Sequence, residues 1–201
     1  VLMIGDSVSV RAIPQFEEAF PYGALDAAVN RQLYAGQETF DFYNEQNIVG
    51  GVVVFALGTN GAASDEQLDE LIAAAGPDRQ VFFVNTRSPQ SWVGQTNGAM
   101  FDAADRHDNV HVIDWYTASA DHDEYFDGDG THLTEEGAQA YIGLIHDTVE
   151  PLLPEHAESD EAAVVKSPLE LASEDAQKAA SDAVHALVAS AAKGMAPQPQ
   201  Q

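Results

Sequence analysis

Ser7 is the first residue of the sequence whose type and position could serve nucleophilic chemistry. It follows the apolar run Val1–Ile4 and Gly5, a pattern that predicts a short buried strand closed by a glycine. Asp6 and Ser7 would then lie at the carboxyl end of that strand, which is where open α/β sheets bind ligands. The alternative is that Asp6 or Ser7 only caps the next helix, because both residue types are preferred at that position.

The segment FDGDGTHLTEEG at 126–137 places Asp129 three residues before His132 on a glycine-rich loop. A serine nucleophile needs an imidazole that accepts its proton and a carboxylate that orients the imidazole through the other ring nitrogen. This spacing lets one turn supply both groups, so Ser7, His132 and Asp129 form a candidate catalytic triad. The alternative is a solvated turn in which Asp129 caps the following helix.

The same segment is acidic enough to raise a second alternative, a calcium-binding loop that uses Asp123, Asp127 and Asp129. The register of an EF-hand fails, because Tyr125 would occupy its third position and Thr134 its twelfth. The chain has no cysteine, which also excludes a thiolate zinc site and a disulfide framework. We therefore expect neither a metal site nor a cofactor.

A third polar cluster, LGTNG at 57–61, directly follows the most apolar run of the chain. That run, GGVVVFALG, is typical of a central parallel strand covered on both faces. Asn60 would then lie at the same edge of the sheet as Ser7, where its side-chain amide could donate to a developing oxyanion. A donor of this kind contributes on the order of 3–4 kcal/mol to transition-state stabilisation. The alternative is an ordinary Asn-Gly turn.

Five apolar runs at regular intervals predict the strands that must position these side chains. The runs are Val1–Ile4, Leu25–Val29, Val52–Leu57, Val81–Val84 and Val110–Ile113. Residues with helical spacing lie between the runs. The clearest helical segments are Gln67 to Ala75 after the cap residue Ser64, a segment marked by Met100, Phe101 and Ala104, and Ala138 to Val149 entered through Thr134. This alternation predicts a three-layer α/β/α domain with a five-stranded parallel sheet over residues 1–153.

The composition changes after this domain. Residues 154–168 are acidic and lack aromatic side chains, which is typical of a linker. Residues 169–193 are rich in alanine and carry apolar residues three and four positions apart, which predicts an amphipathic, Ala-rich C-terminal helical extension. Residues 194–201 have the composition of a disordered tail.

The chain is strongly acidic, with a formal net charge of −25 at pH 7. Residues 1–153 contain 25 acidic residues against five arginines and no lysine. Such a surface repels phosphate backbones, so we expect no nucleic-acid partner. No stretch approaches the roughly 18 apolar residues of a membrane span, and no signal peptide is visible.

The three polar clusters, in this order and each after a predicted strand or before a predicted helix, resemble the sequence blocks of the SGNH (GDSL-like) hydrolase superfamily. The matching motifs are GDS at 5–7, GTNG at 58–61 and DGTH at 129–132. The resemblance implies the flavodoxin-like fold of that superfamily. It implies that Ser7 is the nucleophile and that His132 and Asp129 complete the triad. It also places the Ser7 N–H and the Asn60 side chain in an oxyanion hole.

Three further stretches resemble the SGNH domains attached to membrane acyltransferase-3 proteins, a group that includes the peptidoglycan O-acetyltransferases of Gram-positive bacteria. They are DAAVNRQ at 26–32, VVVFALGTNG at 52–61 and DWYTAS at 114–119. In that group the second block usually carries a glycine whose backbone N–H joins the oxyanion hole, whereas this chain has Asn30. Asparagine tolerates left-handed backbone better than other non-glycine residues, so we expect the Asn30 N–H to take that place.

Four more residues are candidates for contact with the substrate. Arg31 and Gln32 match the same group and would lie near the site, although Arg31 could instead be an ordinary surface cation. Asp6 adjoins the predicted nucleophile. Trp115 follows the last predicted strand, and it could line the groove for the acceptor or simply pack in its loop.

The resemblance implies transfer of an acetyl group through an acyl-serine to a hydroxyl of a cell-envelope glycan, muramic acid of peptidoglycan. Its partners would be an acyl donor, a glycan acceptor and an upstream membrane acyltransferase domain of the same polypeptide. The sequence starts in a strand without an initiator methionine, so we expect a missing N-terminal region that tethers a monomeric domain outside the membrane. Two alternatives stay open: a secreted carbohydrate esterase that removes acetyl groups, and a non-catalytic glycan-binding module.

Overall fold

The structure, a computed structural model, describes residues 1–154 of the chain. Five strands form one sheet in which every neighbouring pair is parallel, in the order β2-β1-β3-β4-β5. The strands are β1 (Leu2–Gly5), β2 (Ala24–Ala27), β3 (Val52–Ala56), β4 (Gln80–Val84) and β5 (Val110–Ile113). Each of the five predicted runs forms a strand, and the predicted α/β class is confirmed.

Seven α-helices lie within the described part of the chain. They are α1 (Ser7–Val10), α2 (Ile13–Ala19), α3 (Ala35–Glu45), α4 (Asp65–Ala75), α5 (Val93–Arg106), α6 (Trp115–Ala118) and α7 (Glu135–Val149), with short 3₁₀ helices at Asp123–Tyr125 and Glu150–Leu152. The two predicted caps are present. Ser64 accepts a hydrogen bond from the Gln67 N–H in a capping box, and Thr134 accepts one from the Gly137 N–H.

Helices cover both faces of the sheet, which gives the three predicted layers. On one face, α2 and α7 pack on strand side chains that include Met3 and Val54. On the other face, Phe40 of α3 lies 6.4 Å from Phe55 between ring centroids, and Phe55 stacks on Phe83. All five residues of β3 are buried, because this central strand has helices above and below it.

Two apolar residues do not lie where the sequence pattern placed them. The predicted strand Leu25–Val29 ends at Ala27, where the chain leaves the sheet for a loop, and Val29 is 67% exposed. In α5, Phe101 is 44% exposed, while Ala103 is fully buried. The apolar spacing therefore located the helix and the buried Met100 correctly, but it assigned Phe101 to the core, where Ala103 lies instead.

The predicted linker at 154–168, helical extension at 169–193 and tail at 194–201 lie outside the described residues, apart from residue 154. The end of the domain at residue 153 stays a prediction for the same reason. Across residues 1–154, no helix has both the length and the apolar character to cross a bilayer.

Candidate active site

A tight turn from β1 into α1 holds Ser7 at the carboxyl edge of the sheet. Asp6 is the N-cap of α1: its backbone is extended, and its Oδ1 accepts a hydrogen bond from the Val8 N–H at 3.0 Å. The helix begins at Ser7, which is partly exposed. Because the capping bond fixes the first turn of the helix, the position of the Ser7 backbone is fixed as well.

The side chains of Ser7, His132 and Asp129 form one hydrogen-bonded chain. Ser7 Oγ lies 3.0 Å from His132 Nε2, and His132 Nδ1 lies 2.6 Å from Asp129 Oδ2. The other oxygen of Asp129 accepts hydrogen bonds from the backbone N–H groups of Thr131 at 2.9 Å and of His132 at 3.0 Å. A nucleophile, a general base and an orienting carboxylate require this order and these distances.

Asp129 is built to stay ionised. Its hydrogen bond with the His132 side chain, followed by the backbone hydrogen bonds from His132 and Thr131, lowers the pKa of Asp129 to about 2. An ionised carboxylate can only accept, so Nδ1 of His132 carries a proton when it bonds to Asp129. In the neutral ring, Nε2 is then the acceptor for the hydroxyl proton of Ser7.

A loop closed by backbone hydrogen bonds carries Asp129 and His132. Phe126 and Leu133 pair as an isolated antiparallel bridge, and the Asp127 N–H donates to the His132 carbonyl at 2.7 Å. These bonds join the two ends of the loop to each other. This closure keeps the imidazole and its carboxylate in a fixed relation to the start of α7.

Asn60 lies in the loop after β3, at the same edge of the sheet. Its Nδ2 donates a hydrogen bond to the Arg31 carbonyl at 3.3 Å, and since an amide carries two N–H groups, a second donor remains. Gly58 shapes this loop: its φ is 130°, and a Cβ there would lie 2.9 Å from Thr96 Cγ2. The GTNG sequence therefore sets the Asn60 amide through a backbone conformation that favours glycine.

Asn30 has a φ of 61°, in the left-handed region that we expected from the resemblance to a group that usually carries glycine in this block. Within residues 1–154, the backbone N–H of Asn30 and that of Ser7 donate no hydrogen bond to another protein group. Both N–H groups and the second N–H of Asn60 can therefore donate to an external oxygen. Their joint role as an oxyanion hole stays a prediction.

No family model matches the chain. O-acetyltransferase OatA of Staphylococcus aureus is 40% identical over 150 residues, which are 74% of this chain and 25% of that protein. Peptidoglycan O-acetyltransferase OatA of Listeria monocytogenes is 39% identical over 142 residues, which are 71% of this chain and 22% of that protein. The chain spans about a quarter of the length of these curated relatives. It is a homologue of one part of OatA.

Solved structures share the fold. The C-terminal catalytic domain of OatA from Streptococcus pneumoniae, with a methylsulfonyl adduct, matches with a TM-score of 0.68 at 21% identity, over 75% of this chain and 92% of that chain. A lipase/acylhydrolase from Enterococcus faecalis matches with a TM-score of 0.64 at 18% identity, over 78% and 98%. A GDSL-like lipase from Bacteroides thetaiotaomicron matches with a TM-score of 0.63 at 17% identity, over 76% and 88%. These matches confirm the predicted α/β/α fold.

Asp6 does not lie where a substrate could reach it. The residue is 1% exposed, and its Oδ2 accepts a hydrogen bond from the Thr59 N–H at 3.3 Å, so it links the Ser7 turn to the loop that carries Asn60. This burial favours the capping alternative over the expected substrate contact. Desolvation raises the pKa of Asp6, against the opposing effect of the hydrogen bonds from Val8 and Thr59.

Arg31 is not the ordinary surface cation that the sequence offered as one alternative. Only 10% of its side chain is exposed, and its Nη2 donates to Asp26 Oδ1 at 2.6 Å. Its Nη1 donates to the carbonyl oxygens of Gly5 at 3.0 Å and of Asp26 at 2.5 Å. A guanidinium whose two Nη groups both bond inside the protein is not an ordinary surface cation, and these bonds favour a structural role over contact with the substrate.

Trp115 and Gln32 differ in what they can contact. Trp115 is 3% exposed and packs edge-on against Tyr141, with ring centroids 5.1 Å apart, so the packing alternative describes most of its surface. Gln32 is partly exposed, and its Oε1 lies beside Gly61, next to Asn60. Gln32 therefore stays a candidate for substrate contact.

Sequence reasoning missed Arg87, which supports the loop that bears His132. Its Nη2 donates to Asp123 Oδ1 at 2.8 Å, and its Cζ lies 4.6 Å from the centre of the Phe126 ring. Both partners lie just before that loop, so Arg87 holds the loop against the end of β4. Its position in the sequence could have pointed to Arg87, because the polar residues after the predicted strand Val81–Val84 lie at the edge of the sheet where ligands bind.

A small pocket lies beside the Ser7 turn. Its lining residues include Asp6, Thr59, Asn85, Arg87 and Trp115. Within residues 1–154, no three His, Asp or Glu side chains gather so that they could hold a metal ion. The polar groups described above are therefore the ones from which we derive the chemistry.

Proposed function

We propose that this chain is the catalytic part of a serine O-acyltransferase that moves an acetyl group to a hydroxyl of a cell-envelope glycan. The observation that carries the proposal is the continuous hydrogen-bonded chain from Ser7 through His132 to Asp129. The choice of acetyl as the acyl group and of peptidoglycan as the acceptor is supported by the names of the OatA relatives. Muramic acid as the accepting sugar stays a prediction from the resemblance described above.

The first half-reaction acylates the serine. Ser7 Oγ attacks the carbonyl carbon of an acetyl ester while His132 Nε2 takes the hydroxyl proton, and Asp129 stabilises the imidazolium that forms. The tetrahedral oxyanion accepts hydrogen bonds from the N–H groups of Ser7 and Asn30 and from the Asn60 amide. When the ester bond breaks, His132 gives its proton to the leaving oxygen, and an acetyl-serine remains.

The second half-reaction runs the same steps with a sugar hydroxyl. His132 takes the proton of the acceptor hydroxyl, whose oxygen attacks the acetyl carbonyl of the acyl-serine. The second tetrahedral oxyanion uses the same donors. Collapse forms the acetylated sugar, and Ser7 Oγ leaves as it regains a proton from His132.

An acetyl esterase is the second candidate, because the same residues hydrolyse the acyl-serine when water replaces the sugar. Structural neighbours of this chain include a lipase/acylhydrolase and a GDSL-like lipase, which keeps hydrolysis open. The two functions differ in what reaches the acyl-serine and not in the residues that activate it. A non-catalytic glycan-binding module is the third outcome that the experiment below separates.

For the whole protein, we propose an upstream membrane acyltransferase domain that delivers the acetyl group to this domain on the outer side of the membrane. The relatives are about four times longer than the matched region, which leaves room for such a domain in them. The two substrates, the acyl donor and the glycan acceptor, would both react at Ser7. We propose that the catalytic domain itself acts as a monomer.

The test assays the wild type and Ser7→Ala with an activated acetyl ester, with and without a chitooligosaccharide acceptor. We expect acetylated sugar above the hydrolytic background from the wild type, and a loss of about 10³-fold or more in Ser7→Ala. Release of acetate alone, unaffected by the acceptor, would support the esterase. Equal rates for both proteins would exclude both enzymes and leave the binding module.

A covalent label provides the control for the nucleophile. A serine-directed sulfonyl fluoride should modify Ser7 in the wild type and leave Ser7→Ala unmodified by intact mass. Ser91→Ala removes an exposed serine elsewhere on the surface and serves as the matched variant. We expect it to be labelled like the wild type.

A further inference from the structure

The guanidinium of Arg31 bonds to the strand that leads to the nucleophile. Gly5, whose carbonyl accepts from Nη1 at 3.0 Å, is the last residue of β1, and Ser7 follows two positions later. The other partner, Asp26, belongs to the neighbouring strand β2 and accepts through both its backbone carbonyl and its side chain. One side chain thus fastens the ends of two adjacent strands to the loop that contains Arg31.

The backbone of Arg31 is tied to the other two proposed oxyanion donors. Its carbonyl accepts the hydrogen bond from Asn60 Nδ2 at 3.3 Å, and its N–H donates to the Ala28 carbonyl at 3.3 Å. Asn30, with its φ of 61°, lies directly before Arg31 and within the turn closed by the bond from the Arg31 N–H to the Ala28 carbonyl. The three donors of the proposed oxyanion hole therefore lie next to groups that Arg31 holds in place.

The anchor for Arg31 is itself closed and buried. Asp26 has 2% of its side chain exposed, and its second oxygen accepts a hydrogen bond from the Tyr43 hydroxyl at 3.1 Å. The planar fork of a guanidinium can bond to Gly5 and Asp26 together, whereas a lysine ammonium is a point charge that cannot reproduce the fork. Arg31→Lys should therefore keep the charge of the pair and loosen its geometry.

We propose that Arg31 is a positioning residue for the oxyanion hole, which it holds by fixing the loop after β2 against the carboxyl end of β1. Its side chain touches no substrate and acts through the Asn30 N–H, the Asn60 amide and the turn at Ser7. The proposal rests on the proposed function, because an oxyanion forms only if acyl transfer takes place. A misplacement of about 1 Å can cost about 10² in rate, so a loosened Arg31 should affect the chemical step.

The test measures kcat and KM for the activated acetyl ester in Arg31→Lys, together with thermal unfolding. We expect kcat to fall about 10-fold to 10²-fold while KM changes by less than about 3-fold, because the lost hydrogen bonds act on the transition state. The pH profile of kcat/KM should keep its shape, since Ser7, His132 and Asp129 are unchanged. An unchanged kcat, or a shifted pH profile, would overturn the proposal.

Arg79→Lys is the matched control. Like Arg31, Arg79 is partly buried and donates to a backbone carbonyl, that of Ala75 at 2.7 Å, and to a side chain, that of Asn44 at 2.9 Å. It directly precedes β4, at the amino edge of the sheet, whereas Ser7 lies at the carboxyl edge. We expect Arg79→Lys to lose stability as Arg31→Lys does and to keep its kcat. An equal loss of kcat in both variants would make the effect a general one of stability and contradict the positioning role.

A double-mutant cycle with Asn60→Ala tests the route of the effect. If Arg31 acts partly through Asn60, Arg31→Lys should cost at least about 3-fold less in kcat when Asn60 is already alanine. Equal costs in both backgrounds would remove that route. A wild type no faster than Ser7→Ala would instead defeat the proposed function and would be seen before any Arg31 variant is made.

Tyr43→Phe provides a second variant if Arg31→Lys does not fold. It removes the hydroxyl that bonds to Asp26 Oδ2 and leaves the hydrogen bonds of Arg31 itself in place. We expect a fall in kcat of about 2-fold to 5-fold with KM and the pH profile unchanged. A Tyr43→Phe enzyme that folds and retains the full kcat would contradict the proposal.

Discussion

The carboxylate of Asp6 is almost completely buried and joins two loops through its hydrogen bonds. Its two oxygens accept from the N–H groups of Val8 and Thr59, so it joins the turn at Ser7 to the loop of Asn60. Burial disfavours the ionised form, and this desolvation raises the pKa of Asp6 despite the hydrogen bonds. A group with a raised pKa makes stability depend on pH in a direction opposite to that of ordinary paired acids.

We predict that Asp6→Asn changes the pH dependence of the free energy of unfolding. Because the folded-state pKa is raised, the contribution of Asp6 is full below its unfolded pKa of about 3.9 and is lost as pH rises through the folded pKa. The stability of the wild type minus that of Asp6→Asn should therefore fall as pH increases from about 4. Urea unfolding at a series of pH values measures this difference. A difference that rises with pH would contradict the raised pKa.

Asp114 offers a control of opposite sign. It caps α6 as Asp6 caps α1, with Oδ1 accepting from the Thr117 N–H at 3.0 Å and from Asn85 Nδ2 at 2.6 Å. Desolvation raises the pKa of Asp114, but the hydrogen bonds from Asn85 and Thr117 outweigh it and lower the pKa overall. Its contribution is present above about pH 3.9 and is lost as pH falls, so the wild type should lose stability relative to Asp114→Asn on acidification.

Among the elements, α7 is the one whose packing sets the position of the loop that carries His132. A Cβ at Gly137 would lie only 2.0 Å from the Tyr125 carbonyl oxygen, which also accepts the Thr134 N–H at 2.9 Å. The start of α7 thus approaches the 3₁₀ helix Asp123–Tyr125 more closely than any side chain allows. Because His132 lies between these two elements in the sequence, their separation fixes where its ring can reach Ser7.

We predict opposite effects for two alanine substitutions in α7. Gly137→Ala must push the helix away from backbone atoms, and overpacking of this kind costs about 1–3 kcal/mol. The shift should also lower kcat, because Ser7 Oγ and His132 Nε2 would separate. Gly143 is exposed and has no atom within 4 Å of its Cβ position, so Gly143→Ala should stabilise the helix by about 0.5–1 kcal/mol and leave kcat unchanged.

Thermal unfolding and kcat for the acetyl ester, measured on both variants, decide this prediction. A Gly137→Ala protein as stable and active as the wild type would show that the two elements can separate without moving His132. A destabilised Gly143→Ala would instead mean that α7 tolerates no added methyl at all, and the contrast between the positions would be lost.

What the sequence could predict at this scale follows from how far apart the bonded residues are. The caps at Ser64 and Thr134 bond three positions ahead, so the local pattern contains them. The apolar runs of the strands are equally local, and all five were found. By contrast, the partner of Arg31 at Gly5 is 26 positions away, and so is the ring of Tyr141 that buries Trp115. Periodicity carries no information about such pairs, so the sequence left an exposed role open for both side chains, with packing in its loop as the alternative for Trp115.

The candidate triad lies between these cases. Ser7 and His132 are 125 positions apart, yet each follows or precedes a predicted element at the carboxyl edge of the sheet. Topology therefore brought them to one edge without any knowledge of their contact. The rule failed for Asp6, since the same position that offers a side chain to a ligand also offers it to the N–H groups of the next loop. Which of the two it meets depends on tertiary distances.

At the scale of the whole molecule, the distribution of charge is one-sided. Residues 1–153 carry 25 acidic side chains against five arginines, and each of those arginines is already bonded inside the domain. The pairs are Arg11 with Asp127, Arg31 with Asp26, Arg79 with Asn44, Arg87 with Asp123 and Arg106 with Asp69. Arg87 lies in the wall of the pocket beside Ser7, but five positive charges against 25 negative ones leave the described domain strongly negative as a whole.

The negative field of the domain should select among acyl donors by their charge. We predict that three aryl acetates of equal leaving-group pKa, with a sulfonate, a neutral or a trimethylammonium substituent, differ in kcat/KM by about 10-fold from the anionic to the cationic ester at low salt. Raising NaCl from about 20 to about 500 mM should raise kcat/KM for the anionic ester, lower it for the cationic ester and leave the neutral ester unchanged, because the added ions screen the charge of the domain. Ser7→Ala supplies the uncatalysed background for each ester. If the anionic ester reacts fastest at low salt, or if none of the three rates responds to salt, the net charge of the domain has no influence on the approach of the donor to Ser7.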